Sequence, residues 1–306
     1  MLARQLRPQT HSTFRRGFTL IELLMVMAII AILAALILPA ISSVRRTARI
    51  AEVKSEMESI KAAITTFKVR FGIEPPSHLT FCEQGSDWSD PAVIAANPRI
   101  PESRGIIRQL WPSYPFGDLD LDNSGTTTDI HRFNGSECLV FFLGGLVDSN
   151  SGAFIGFSKN PNAPFALGGD REGPFFEFAP SRTISVDGDI FLEYLDKIPS
   201  QSKPILYFST YGRQRYPTTV SGTTWYNSDN WDPITSIGME RAYYRSVDVS
   251  DAGKSTPYEK SSYQLISPGF DYQYGTGGAF DSEQPITLSD ADRDNITSFH
   301  SGLIGD

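Results

Sequence analysis

The sequence predicts an α+β protein: one long N-terminal helix, then a globular region of short strands and loops. Three observations predict it. From Leu23 to Leu38 the chain carries no charge and no strongly polar side chain. From Ile50 to Phe71 the apolar residues Ile50, Val53, Met57, Ile60, Ile64, Phe67 and Phe71 recur at alternating spacings of three and four, which places them on one helix face. Further on, runs rich in aromatic and β-branched residues alternate with Gly- and Ser-rich stretches, as strands alternate with turns. The chain has 306 residues, 40% hydrophobic and 20% charged, which excludes a disordered or wholly membrane-embedded protein. That length accommodates one large domain or two small ones.

Residues 1–17 are basic, with Arg4, Arg7, Arg15 and Arg16 and no acid. Basic residues ahead of an apolar run favour a cytoplasmic N-terminus. Arg45, Arg46 and Arg49, behind the run, pull the other way. Counted from Phe18, the run reaches the roughly 20 residues a helix needs to cross a bilayer core. Glu22 lies near its start. A carboxylate there is costly in hydrocarbon and marks a functional position unless it snorkels to the interface. Pro39 follows the run, and a kink or local melting is expected there because proline lacks the N–H that a helix interior uses. Gly72 and Pro75-Pro76 end the second half. Residues 18–72 as one broken helix would span roughly 80 Å at 1.5 Å per residue.

Residues Arg15 to Leu24 read Arg-Arg-Gly-Phe-Thr-Leu-Ile-Glu-Leu-Leu. They resemble the N-terminus of type IV prepilins and type II secretion pseudopilins. The Gly precedes the apolar run, whereas a secretory signal has its cleavage site after it. The resemblance covers about a tenth of the chain. It implies that prepilin peptidase removes residues 1–17 by cutting between Gly17 and Phe18, and that Phe18 is N-methylated. It also implies that Glu22 pairs in the assembled state with the Phe18 amine of a neighbouring subunit, neutralising two charges that are expensive in lipid. A plain membrane anchor is the alternative.

From Ile73 to Ser136 the chain is rich in Pro, Gly, Ser and Asp, with a helix signal only over Arg104–Trp111. Within it lie Asp118, Asp120, Asp122, Gly125 and Asp129. Alternating acids followed by Gly suit a calcium loop, since calcium takes six to eight oxygen ligands. The spacing fits an EF-hand imperfectly in either register, and a solvated acidic turn is the other reading. Ser136–Leu146 reads as a helix capped by Ser136 and stopped by Gly144-Gly145, or as a buried strand. Strands are expected at 175–178, 183–186, 190–195, 205–210, 242–247 and 263–266, with Asp187-Gly188 turning a hairpin. Cys82 and Cys138 are the only cysteines. They are either a disulfide, which export would permit, or two buried thiols.

Tyr263-Gln-Leu265-Ile-Ser267-Pro-Gly269-Phe-Asp271, followed by Asp290-Ala-Asp292-Arg-Asp294-Asn295-Ile296, resembles the C-terminus of the major pseudopilin of type II secretion. That family holds one calcium ion between two such pieces. Carried over by position, the resemblance implies Asp271, Asp292 and Asp294 as acidic ligands, with carbonyls from Leu265 and Ser267. The intervening loop is longer than usual and Asn295 shifts the register, so Asp290 or Asp281 are substitutes. Surface acids that only solvate a tail are the alternative.

The net charge is −8, and loss of the four leader arginines takes it to about −12. An acidic chain is a poor nucleic-acid binder. There is no phosphate loop, HExxH, GxSxG or CxxC, and the four histidines are scattered, so no enzyme is expected. Trp225, Tyr226 and Trp231 could form a ligand platform, though such residues more often pack.

Together the resemblances imply a pilin-like fold: helix 18–72, its part 18–38 in the membrane, packed on an antiparallel sheet in a periplasmic domain 73–306 enlarged by loop insertions. They imply a structural subunit of a type II secretion pseudopilus, single-pass in the inner membrane. Its partners would be copies of itself, other pseudopilins, prepilin peptidase and the inner-membrane secretion platform, and its cofactor calcium. A type IV pilin for adhesion or motility, major or minor, is the nearest alternative. A membrane-tethered ligand-binding ectodomain is the alternative from another class.

Overall fold

The computed structural model describes residues 18–148, 151–186, 188–210, 216, 219–221, 224–226, 231–232, 237–238, 242–246, 256–280 and 288–305. The expected leader with Gly17, and also Asp187 and Asp281, lie outside the described residues, as do the side chains of Trp225, Tyr226 and Trp231. The chain divides into two units, Met1–Ala48 and Arg49–Asp306.

Helix α1 runs from Leu20 to Phe71. In the first unit its apolar side chains are exposed on every side, from Phe18 at 80% to Leu38 at 66%. The helix is long and apolar enough there to cross a membrane. It continues through Pro39, so the expected melting is absent. The flanking Ala, Leu and Ile residues keep good helix geometry around the one backbone donor that proline lacks.

In the second unit the amphipathic pattern does what its spacing predicts. Val53, Met57, Ile60, Ile64 and Phe67 are buried, and Ile50 and Phe71 are partly buried against the same core. Phe67 meets Phe142 and Phe175 edge-on, and Phe71 meets Trp111. Polar clamps flank this seam. Glu56 receives a two-pronged bond from Arg182, at 2.7 Å and 2.5 Å, and the Tyr194 hydroxyl at 3.2 Å. Lys54 donates to the carbonyls of Thr297 and His300, fastening the C-terminal segment to the helix. Burial pushes its ammonium down to about 8.

The region read as a long connection is built rather than loose. Strand Leu79–Cys82 pairs antiparallel with strand Ile130–Phe133, and between them lie helices α2 (Pro91–Ala96) and α3 (Ile100–Leu110). Asp90 caps α2 by accepting from the Ala92 and Val93 amides. The α3 helix starts four residues before its sequence signal, with Pro in its first turn.

Helix α4 (Gly135–Gly144) settles the helix-or-strand ambiguity in favour of helix, and it is buried on all sides. Its cap is Asn134, not Ser136. Asn134 accepts from the Glu137 amide at 3.0 Å while Glu137 accepts from the Asn134 amide at 2.7 Å, a reciprocal capping box.

The sheet next to this core orders strands Ile296–Thr297, Tyr263–Ser267 and Leu206–Ser209, all antiparallel. Strand alternation divides their side chains. Tyr207, Tyr263 and Leu265 join the main core with α1 and α4; Leu206, Phe208 and Ile266 join a second cluster with Tyr243, Tyr274, Phe280 and Ile304. Among the described residues the remaining sheets are two- and three-stranded, and strands Tyr243–Ser246 and Gly278–Ala279 pair parallel. Strands Thr183–Ile184 and Glu193–Tyr194 form the expected pair. Residues 175–178 are not a strand. The amides of Phe175 and Phe176 both turn to the Leu143 carbonyl at the end of α4, which leaves no ladder to join.

Cys82 and Cys138 are buried and not joined by a disulfide. Each lies in the core, and burial pushes the Cys82 thiol up to about 11.

Candidate functional site

The first candidate is the N-terminal end of α1. Thr19 is the helix cap and Glu22 the third residue inside it. Glu22 Oε2 accepts from the Thr19 amide at 2.8 Å and from the Thr19 hydroxyl at 2.7 Å, while the Glu22 amide donates back to the hydroxyl at 3.3 Å. The Thr-x-x-Glu spacing is that of a capping box, which sequence reasoning did not extract although Thr19 lay in view. The Glu22 carboxylate is thus held at the positive end of its own helix, beside an exposed Phe18.

The second candidate is the C-terminal turn. The strand Tyr263–Ser267 ends at Pro268-Gly269, and the chain crosses back at Asp292–Asn295. Asp294 Oδ2 accepts from the Phe270 amide at 2.6 Å and the Asp271 amide at 3.0 Å. Its other oxygen, Oδ1, is buried and has no hydrogen-bond partner among the described residues. Burial, with the Asp294 charge adding to it, raises the Asp271 carboxyl above the usual range, although the Gln273 amide acts against that rise. Two glycines allow this approach. A Cβ on Gly269, at φ +69°, would stand 2.1 Å from the Asp294 carbonyl; one on Gly275, also at +69°, would stand 2.4 Å from the Asp292 carboxyl carbon.

Asp292 sits differently. It is 1% exposed. Its Oδ1 accepts from the Tyr243 hydroxyl at 2.7 Å and the Gly277 amide at 3.0 Å. Its Oδ2 accepts from the Thr276 amide at 3.3 Å and from the Ser289 amide and hydroxyl at 3.3 Å and 2.5 Å. These donors fill its lone pairs. Asn295, the residue that breaks the family register, donates to the Tyr243 hydroxyl at 2.8 Å and the Tyr274 carbonyl at 2.7 Å. The Leu265 carbonyl accepts from Ser298 at 2.9 Å, and the Ser267 hydroxyl donates to Asp196. Asp196 was not singled out from sequence. It is buried, takes the Ile198 amide at 2.7 Å and Gln201 at 3.2 Å, and so supports the turn from a strand end 71 residues away. Asp290 is at the surface, in a loose pair with Arg293 at 3.5 Å.

The third candidate is the acidic loop. Asp120 accepts from the Ser124 and Gly125 amides at 3.0 Å each, and Asp122 Oδ1 from Ser124 at 2.9 Å. Asp129 takes the Thr126 hydroxyl at 2.7 Å, and Asp118 takes the Gly85 amide at 2.8 Å. The loop therefore caps itself. A cavity of about 250 Å³ lies alongside, lined by Asp120, Asp122, Phe141, Phe154, Phe165 and Ile190 among others.

Residues 13–38 match the family described as the prokaryotic N-terminal methylation motif. The chain is 42% identical over 69 residues to the type IV major pilin protein PilE of Neisseria gonorrhoeae, covering 22% of this chain and 41% of that protein. It is also 42% identical over 69 residues to a fimbrial protein of Neisseria meningitidis serogroup A, covering 22% of this chain and 40% of the relative. The chain thus spans about two fifths of the length of the curated relatives it matches. No solved structure matches. A methylation motif thus stands at the head of a long apolar helix with antiparallel sheets behind it, and over 69 residues the chain is similar to type IV pilin proteins.

Proposed function

We propose that the chain is a structural subunit of a type II secretion pseudopilus. Prepilin peptidase removes residues 1–17 between Gly17 and Phe18 and Phe18 is N-methylated. The segment 18–38 then holds the subunit in the inner membrane with residues 73–306 in the periplasm. Subunits polymerise through this helix, Glu22 meeting the amine of the next Phe18, and the growing filament works mechanically with other pseudopilins and the inner-membrane secretion platform. The observation that carries the reading is an exposed apolar helix segment whose single acid sits in the methylation motif. Such a surface needs lipid or neighbouring helices to cover it.

Calcium is the proposed cofactor of the C-terminal turn. Asp271 and Asp294 are the acids that would hold it, because Asp294 Oδ1 is buried without a donor while Asp292 already has its full set. Bound there, calcium would neutralise the two facing carboxylates and tie the strand end to the crossing segment.

A second reading, a type IV pilin, is favoured by the similarity to type IV major pilin and fimbrial proteins. One experiment separates the readings. Intact mass of the membrane-extracted protein should give a chain starting at N-methyl-Phe18. Glu22→Ala should be processed normally and yet fail to polymerise. Retained residues 1–17, or normal filaments from the variant, would overturn the filament-subunit proposal. Loss of secretion without loss of surface fibres on deletion would assign the pseudopilus; the converse would assign the pilus.

A further inference from the structure

We propose that Glu83, Asp122 and His131 form a binding site for a first-row divalent transition-metal ion of the zinc class, separate from the C-terminal turn. Glu83 follows strand Leu79–Cys82, and His131 stands in the partner strand, whose register sets it opposite Phe81. The Glu83 amide continues this ladder to the Asp129 carbonyl at 3.0 Å. The acidic loop folds over both residues, so that each of the three side chains brings a ligand atom within 4.8 Å of the others. His131 Nε2 lies 3.2 Å from Glu83 Oε1 and 4.0 Å from Asp122 Oδ2. Ligands of a tetrahedral zinc ion with bonds of about 2.0–2.2 Å stand roughly 3.3–3.6 Å apart. The two separations from His131, 3.2 Å and 4.0 Å, lie within a few tenths of an ångström of that spacing.

An acidic cluster alone would not point to a metal. Glu83 supplies the independent observation. Its side chain is 0% exposed, and Oε1 accepts from the Leu121 amide at 2.5 Å and the Asp122 amide at 3.3 Å. Oε2 is buried and has no partner among the described residues. A buried carboxylate oxygen without a donor is costly, and a cation is the partner that offsets that cost while using the imidazole as well. The donor set chooses the class. Calcium prefers an all-oxygen shell of six or more ligands, whereas one imidazole and two carboxylates leave an open fourth position suited to zinc. His131 also packs edge-on against Phe191 at 5.1 Å, which fixes the ring plane. Bound metal would tie loop 118–129 to the strand pair.

The test uses the full chain, extracted in detergent, stripped with a chelator and titrated with zinc alone. One zinc per chain should bind and raise the melting temperature. His131→Asn should weaken binding at least tenfold to a hundredfold. Asp122→Asn, at a partly exposed position that should fold normally, should weaken it likewise, and Asp294→Asn should leave it unchanged. Millimolar calcium should not displace the zinc. Absence of zinc binding, or zinc binding unaltered by both His131→Asn and Asp122→Asn, would overturn the site. Displacement by calcium would overturn the metal class.

Discussion

Two acid-rich loops of this chain look alike in sequence and behave differently in structure. In the loop 118–129 the carboxylates mostly bond close by: Asp120 and Asp122 converge on the Ser124 amide, Asp129 takes the Thr126 hydroxyl, and Asp118 takes the Gly85 amide. At the C-terminal turn the acids reach across the fold. Asp292 gathers Tyr243, Gly277 and Ser289, and Asp294 gathers the amides after Gly269. Acid density therefore says little about metal. What separates a self-capped turn from a candidate site is a buried carboxylate oxygen with no donor, and each region has one nearby: Glu83 Oε2 under the first loop and Asp294 Oδ1 in the second.

The largest effect should come from the acid that is already satisfied. Asp292→Ala strips a buried hub of its acceptor and strands the Tyr243 hydroxyl and several amides, so a loss of about 3–5 kcal/mol is expected in denaturant unfolding, with or without calcium. A loss under about 1 kcal/mol would mean the hub is not holding the turn.

Acid titration sharpens the comparison once a third group is removed. Burial first, then the charges of Arg99 and Arg132, hold His78 down to about 3. Above pH 6.5 it is neutral in both states and costs nothing. Below 6.5 the unfolded chain takes the proton first, so stability falls steadily until about pH 3. This share is on the order of 5 kcal/mol. It should vanish from the acid limb of His78→Gln and leave the carboxylates as the remaining source.

Asp294→Asn keeps an acceptor for the Phe270 amide and removes the charge. A modest cost of about 1–2 kcal/mol without metal is expected. The stronger sign is that calcium should no longer raise the melting temperature or the protease resistance of the C-terminal segment. Calcium protection that survives the change would place any ion elsewhere. The smallest effect should follow Asp118→Ala. Asp118 is exposed and its one bond is to Gly85, so less than about 1 kcal/mol is expected. A larger loss would show that the acidic loop is more than self-capped.

The first helix was legible because its message is periodic. The seam from Ile50 to Phe71 could be read residue by residue, and burial follows it. The C-terminal acids were also visible, but their division of work was not. Asp292 and Asp294 are two residues apart with the same chemistry, and only Tyr243 and Ser289, brought in by the fold, set them apart. The meeting of Glu83 with His131 was not legible, because 48 residues separate them and only strand register joins them. A faint signal existed in an acid placed directly after the apolar run Leu79–Cys82. The strand expected at 175–178 failed for a related reason: aromatic residues suit strands, yet here the backbone was claimed by the end of α4.

The turn at Thr19 and Glu22 bears on how a filament would keep its subunits in step. Glu22 is not a bare carboxylate in the single chain, since its own cap already supplies two donors. On the proposed pairing a neighbour's amine would have to win Glu22 from them, so docking would be an exchange of partners rather than the filling of a vacancy. A well-placed ammonium, offering full charge, profits from the exchange. One that arrives a turn too high or too low gains nothing over the cap and drifts away. Thr19→Val, which removes one of the competing donors, is expected to polymerise with poorer axial order in electron micrographs, and unchanged order would dismiss the idea. Three residues at the head of the helix would thus act as a gauge, rejecting neighbours that arrive out of line before the stack can grow around them.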